Sequence, residues 1–349
     1  MIEVEFVENL DAWRHGAPGS IVHIEQEELR DDPWVFAMST SAQAIFDSLE
    51  DRLECRLLDV VDIFVGVQSS ADDIFFIFPD AGSGEREVTF IDKDGRRWEI
   101  EREVTKPALV DRSLSPYEAE PVPDRLAVWP YDIEEQNSGR PRAKLIPPNR
   151  LEKQFPKAFE YLNHHRAALL GRSVSPDPGD SFYAYGRSQS LTKMKDPKII
   201  VRALSVALAP QYVWDPNGLI VPGGGSGPYY LMRSKDDSYP PEVLIALMSH
   251  PVIDALVIAG ARTFRGGYAV HSKQSLQSTP VPVVDNSTRE ELTSLVTEMQ
   301  RLSVELRGEG DSLRRSSIES RRTFLRGKVE EVVTASLGLG EDDILHFIP

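Results

Sequence analysis

The 349 residues carry 39 Lys and Arg against 55 Asp and Glu, a formal charge of −16, with 41% apolar residues and a single cysteine, Cys55. This is an ordinary globular composition with room for two or three packed units, and one thiol excludes an intrachain disulfide and a cysteine-rich zinc site. No apolar run approaches the roughly 20 residues that span a bilayer, and the acidic start is no signal peptide, so no membrane contact and a cytoplasmic location, where a lone thiol stays reduced, are expected.

Residues 1–44 read as an acidic segment without a clear period. Ile45, Leu49, Leu53 and Leu57 recur every four residues and predict a helix over 41–58. Two β-rich runs, 60–67 and 74–78, flank a polar turn and predict a strand–turn–strand unit. Alternation over 87–91 and 97–104 around Asp92–Gly95 predicts a hairpin, since Asp-Gly favours a tight turn. A loop over 107–124 leads to a strand at 126–131. Phe155, Phe159, Leu162, Ala167 and Leu170 then predict a helix over 150–170. Strands are expected at 199–208 and 212–214, with Gly223–Gly227 turning the chain into a further hairpin at 229–232. Val243, Leu244, Leu247, Val252 and Leu256 predict a helix over 241–258, bent at Pro251.

Further on, Leu292, Leu295, Met299, Leu302 and Leu306 step by 3, 4, 3 and 4, the seam of a helix that packs on another helix. Ile318, Leu325, Val329 and Val332 mark a second helical run, and the two predict an αα-hairpin. The expected class is α+β. Its parts are an acidic segment at 1–44, a β-rich domain with inserted helices at 45–285, and a C-terminal helical hairpin at 286–349.

The charge is unevenly spread. Residues 1–138 hold 12 basic and 32 acidic side chains, residues 139–233 hold 14 and 6, and residues 234–349 hold 13 and 17. A central stretch of +8 fits a surface for a polyanion, or a solvated face paired with the acidic first third. Catalytic signatures are sparse. Gly223–Gly227 lacks both G-x-G-x-x-G spacing and the Lys-Ser/Thr of a phosphate loop. The histidines at 15, 23, 164, 165, 250, 271 and 346 form neither H-x-x-x-H nor H-E-x-x-H, and adjacent His164 and His165 on a helix point in different directions, so no metal site is expected. There is no G-x-S-x-G elbow. Asp80 with Asp92 and Lys93 approaches a metal-nuclease pattern but has the wrong final spacing.

Six motifs nevertheless occur in one order. Residues 58–77 place a strand before the turn Gly66, Val67, Gln68, Ser69, Ser70, with an Ile/Phe-rich strand after it. Lys106-Pro107 follows, then Trp129, Pro130, Tyr131 and Asp132, then Phe159–Leu162 with Arg166–Arg172. Tyr185, Gly186, Arg187, Ser188 and Gln189 come next, and Pro241–Leu247 and Phe264–Tyr268 precede Leu276–Pro282. Together they resemble the target recognition domain of TaqI-type N6-adenine DNA methyltransferases, a domain type shared with restriction-modification specificity subunits. The resemblance covers about residues 45–285. The turn at Gln68–Ser70 lacks the family's second glycine, and neither Pro147-Pro148 nor Pro240-Pro241 fits the family's catalytic Pro-Pro-Tyr/Phe motif. The ~60 residues ahead of the first motif are too few for a methyltransferase domain.

The resemblance implies a DNA sequence-recognition subunit, or recognition region, of an adenine-specific methyltransferase in a restriction-modification or phage-defence system. No catalytic residue and no cofactor are then expected on this chain. S-adenosylmethionine would sit on a catalytic partner subunit or a missing N-terminal half. Candidate contacts to double-stranded DNA are Arg140, Arg142, Lys144, Tyr185, Arg187, Gln189, Lys193, Lys195, Lys198 and Arg265. Arg187 suits guanine and Gln189 adenine, each by a bidentate pair. Arg187 and Tyr185 equally suit an internal anchor, and Trp129 and Tyr131, at strand spacing, read as core. The seam Leu292, Leu295, Met299, Leu302 and Leu306 is expected to dock the catalytic partner, or else to close the hairpin itself. Two readings stay open beside this one: a diverged self-sufficient nuclease, and an acidic protein-binding adaptor that never touches DNA.

Overall fold

Two strands near the N-terminus, β1 (Ile2–Phe6) and β2 (Ser20–Ile24), pair antiparallel. They belong to a computed structural model that describes residues 2–7, 13–24, 40–135, 139, 141–172, 179–206, 210–223, 228–259 and 268–347. Helix α1 (Thr40–Arg52) buries Ala42, Phe46 and Leu49 on one face. It stops six residues short of the predicted end, and a separate helical turn at Leu57–Val60 leads into β3 (Val61–Val65). A turn at Asp72–Phe75 precedes the short β4 (Phe76–Ile77). Strands β5 (Glu87–Ile91) and β6 (Arg97–Glu101) form the predicted hairpin, with Gly95 at φ +81° in its turn.

β7 (Thr105–Ala108) and β8 (Arg125–Val128) follow, then a second hairpin of β9 (Tyr131–Glu135) and β10 (Pro141–Leu145). The predicted strand at 126–131 is thus split at Pro130, which has no N–H to donate to a ladder. The predicted helix over 150–170 is three pieces, α2 (Pro148–Gln154), α3 (Pro156–His164) and α4 (Arg166–Leu170). Pro156 forces the first break, because the residue before a proline is driven out of the helical region; Phe155 lies at φ −132°, ψ 60°.

β11 (Lys198–Arg202), β13 (Tyr212–Asp215) and β14 (Tyr229–Ser234) complete the main sheet, while β12 (Leu204–Val206) stands apart from it. The main sheet runs β13-β11-β14-β3, all antiparallel, and a second runs β4-β8-β7. Two expectations about pairing fail here. The runs at 60–67 and 74–78 do not pair with each other: β3 pairs with β14, and β4 with β8. Nor do β13 and β14 make a hairpin, since β11 lies between them.

Helices α5 (Pro241–Met248) and α6 (Pro251–Ala259) are apolar almost all round and are buried accordingly. They meet at 73°, and no single helix among the described residues is long and apolar enough to cross a membrane. After β15 (Tyr268–Val270), which pairs with β12, come the short α7 (Lys273–Ser278) and the long α8 (Asn286–Gly308) and α9 (Ser312–Ser336). Asp285 and Asp311 cap the two long helices through their N-terminal amides.

The seam expected to dock a partner is covered by this chain. Leu292, Met299 and Leu302 are buried, and Leu295 and Leu306 pack half-buried against the same cluster, which α5, α6 and α9 share. Helix α8 packs on both α5 and α9. The heptad spacing is real, but its partner is the chain's own core. Polar contacts add to the fastening. Arg307 reaches the buried Glu118 at 3.1 Å, Ser303 Oγ accepts the Ala119 amide at 3.3 Å, and Arg322 donates to the Pro116 carbonyl at 2.9 Å. One apolar cluster therefore runs from α1 through the main sheet to the C-terminal hairpin, and a second fills the space among β4–β8, α2–α4 and the far face of the sheet.

Candidate nucleic-acid interface

Three segments distant in sequence meet at the end of β3. The Val67 amide donates to the Val221 carbonyl at 2.8 Å, and the Gly223 amide to the Val67 carbonyl at 2.8 Å. On its other side the same turn accepts the Gly186 amide at the Ser69 carbonyl and the Arg187 amide at the Gln68 carbonyl, both at 3.1 Å. Glycine is required by this approach: a Cβ on Gly66 would overlap the Val221 carbonyl, and one on Gly186 the Ser70 hydroxyl. Ser69 Oγ bonds Asp72 and accepts the Ala71 amide, which holds the turn in shape. The turn at 66–70 and the stretch at 185–189, separate motifs in the sequence, are thus one structural unit.

Arg172 clamps it. Its guanidinium donates to the carbonyls of Leu169, Ser69, Phe182 and Ala184 at 2.6 to 2.9 Å. Burial pushes its pKa down, and Tyr131 beside it acts in the opposite direction. Replacing Arg172 with Met should cost about 2 kcal/mol, since a cation bonded to carbonyls is worth more than a neutral hydrogen bond and leaves acceptors unpaired when removed. Urea unfolding of the variant checks this. A wild-type midpoint would mean that water replaces the clamp.

Tyr185 is an anchor rather than a DNA contact. It is buried, its hydroxyl donates to the Val128 carbonyl at 2.8 Å, and its amide donates to the Tyr131 hydroxyl at 2.5 Å. Its ring packs edge-on against Phe75, Trp129 and Tyr131 at 4.8, 5.7 and 5.2 Å. This cluster also seats the base of the β9–β10 hairpin, because Tyr131 opens β9. Trp129 is core, as its strand spacing indicated, and Tyr131 packs against that core.

From the anchored stretch Arg187 and Gln189 point outward and are exposed. Arg187 makes no side-chain ion pair among the described residues, and neither do the exposed Arg142 on β10 and Lys195 in the following loop. The remaining candidates are engaged. Lys144 pairs with Glu134 at 3.3 Å across the hairpin, and Lys193 with Asp62 on β3 at 2.6 Å. Lys198 cannot reach DNA at all. It is fully buried and pairs with Asp215 at 2.6 Å, directly across the β11–β13 ladder. Arg140 and Arg265 lie outside the described residues.

Much of the +8 stretch is neutralised by the acidic first third. Lys157 holds Glu87 and Glu99, Arg150 holds Asp132, and Arg202 lies 4.0 Å from Asp111. Both readings of the charge pattern are therefore present, a paired face with a few cations left over.

One grouping escaped the sequence. Ser205 on β12, His271 just after β15 and Asp254 on α6 form a hydrogen-bonded row, Ser Oγ to His Nδ1 at 3.3 Å and His Nε2 to Asp Oδ1 at 2.5 Å. All three are buried. A nucleophile must face its substrate, so this row joins β12 and β15 to α6 as packing. No spacing rule links positions 205, 254 and 271, and the fold alone brings them together.

The sequence matches no protein-family profile and no curated protein. Twenty chains among solved structures match its fold. One is the type IIL restriction-modification enzyme MmeI in complex with DNA, with a TM-score of 0.50 and 9% identity over 84% of this chain. The match covers 35% of that enzyme, so the chain spans about a third of its length. At that identity the likeness is one of fold.

Proposed function

We propose that the chain selects the DNA sequence for an adenine-specific methyltransferase of a restriction-modification or phage-defence system, as a recognition subunit or recognition region. The observation that carries this reading is the joined unit of residues 66–70 and 185–189, which fixes the backbone under Arg187 and Gln189 and turns both side chains outward. A rigid scaffold holding a loop with an unpaired guanidinium and a carboxamide is what base-edge readout in the major groove requires. The likeness in fold to part of an enzyme solved with DNA supports it. Phosphate contacts would come from Arg142 and Lys195, which orient without reading sequence. Methyl transfer and S-adenosylmethionine binding belong, on this reading, to a catalytic partner.

Gel shift of the purified chain on duplex DNA, alone and with a methyltransferase captured from its native host, tests the proposal. With Arg142 and Lys195 neutralising about two phosphates, the log–log dependence of affinity on salt should have a slope of roughly −2. Arg187→Ala should relax preference at one base pair by about 1–3 kcal/mol, whereas Arg142→Ala should weaken all duplexes alike. A chain that captures protein partners but shifts no duplex would favour the adaptor reading.

A further inference from the structure

Outside that unit, the turn of the β5–β6 hairpin meets the C-terminal end of α3. Asp92 is fixed there by three donors. Its Oδ1 accepts the Asp94 and Arg96 amides, both at 2.9 Å, and its Oδ2 accepts Trp98 Nε1 at 2.7 Å. His164 ends α3 and His165 follows it. Adjacency on a helix predicts that the two rings diverge, but α3 ends at His164 and His165 lies past it at φ −88°, ψ 10°. The rings are 5.0 Å apart at 80°, and one donor atom from each of Asp92, His164 and His165 lies within 4.8 Å of the other two.

The hydrogen bonding within this group is incomplete. His165 is 5% exposed, and its Nε2 has no hydrogen-bond partner although it faces Asp92 Oδ2 at 3.5 Å. That separation is too long for a good hydrogen bond. It suits two ligands of one ion: bonds of about 2.0–2.2 Å at a tetrahedral angle set their donor atoms about 3.3–3.5 Å apart. The end of α3 adds the negative pole of the helix, which favours a cation.

The other charged groups nearby do not block the position. Lys93 turns aside to Asp73 at 2.7 Å, and Asp94 adds negative charge. Arg96 lies 4.0 Å over the Trp98 ring and 3.4 Å from His164 Nδ1. It is exposed, as is His164, so both can turn to admit an ion.

We propose that Asp92, His164 and His165 bind a divalent transition-metal ion of the zinc type, with solvent in the fourth position, and that the ion fastens the β5–β6 hairpin to α3. Two imidazoles and one carboxylate are the donor set such ions take. The inference goes beyond the DNA-recognition reading and stands or falls independently of it.

The test is calorimetric titration of the full metal-free chain with Zn²⁺, with Co²⁺ as the spectroscopic probe. One equivalent should bind, the Co²⁺ complex should show visible bands of tetrahedral type, and the thermal midpoint should rise with Zn²⁺. His164→Ala, at an exposed position, should keep the fold and weaken binding by about tenfold or more. His165→Gln should do the same. If it fails to fold, the His164 variant alone decides. No binding by the wild-type chain, or equal binding by folded His164→Ala, overturns the proposal, because the zinc would then lie on other surface histidines or nowhere.

Discussion

Lys198→Met is expected to destabilise the chain by about 3–5 kcal/mol, the usual consequence of removing one partner from a buried ion pair. Lys198 and Asp215 are both 0% exposed. Beyond Lys198, the Asp215 carboxylate accepts the amides of Asn217, Gly218 and Leu219, and Lys198 Nζ donates to the Met194 carbonyl at 2.9 Å. Burial pushes the Lys198 pKa down, and the adjacent carboxylate partly restores it. With Met at 198 the carboxylate keeps its amides but loses its counter-charge. Adding Asp215→Asn should recover part of the loss, because no buried charge then remains. Chemical denaturation of the single and double variants reads both effects. A loss below about 1 kcal/mol for Lys198→Met would place the pair among solvated ones.

Acid should weaken the fold through His250, which sits in the bend between α5 and α6 and is 1% exposed. Its Nδ1 accepts the Val252 amide at 3.3 Å and its Nε2 lies 3.0 Å from Thr334 Oγ1 on α9, whose hydroxyl donates to the Glu330 carbonyl. A neutral ring with the proton on Nε2 satisfies both contacts. A second proton on Nδ1 would oppose the Val252 N–H. Burial accordingly pushes the pKa of His250 down to about 4. The folded value lies below the unfolded one, so this contribution is complete above about pH 6.5 and is lost as pH falls toward 4. The drop amounts to roughly 3 kcal/mol. Urea midpoints between pH 7 and 4 should fall more steeply for the wild type than for His250→Gln. Parallel curves would exclude His250 as the source.

What the sequence revealed was local. The β5–β6 turn is written in Asp94-Gly95 and five alternating residues on each side, and the C-terminal helices are written in their 3–4 spacing. Pairings across long separations were hidden. Nothing near Val61–Val65 names Tyr229–Ser234 as its neighbour, and local patterning offers only the nearest β-rich run, 74–78, as a partner. Lys198 misled for the same reason: among Lys193 and Lys195 it reads as one of a solvated cluster, and only the β11–β13 register reveals Asp215 opposite. The seam of α8 was visible, but which surface covers it depends on α5 and α9 together. At the candidate site, residue types were legible and engagement was not. Arg172 and Arg187 look alike in sequence; one is bound to four carbonyls and the other is turned outward.

The β3–β14 pairing also sets a timetable for biosynthesis. At about 5–20 residues per second, some 10–30 s separate the emergence of β3 from that of its neighbour. Helices α8 and α9, which cover the apolar α5 and α6, leave the ribosome later still. A nascent chain thus exposes first one unpaired strand and then, until residues 286–336 emerge, two nearly all-apolar helices, features that invite chaperone capture or aggregation. The β5–β6 hairpin, whose contacts are local, is free to form early. A stop codon ahead of residue 286 would therefore yield a chain that has lost the cover of α5 and α6, and its expected fate is degradation rather than release of a working fragment.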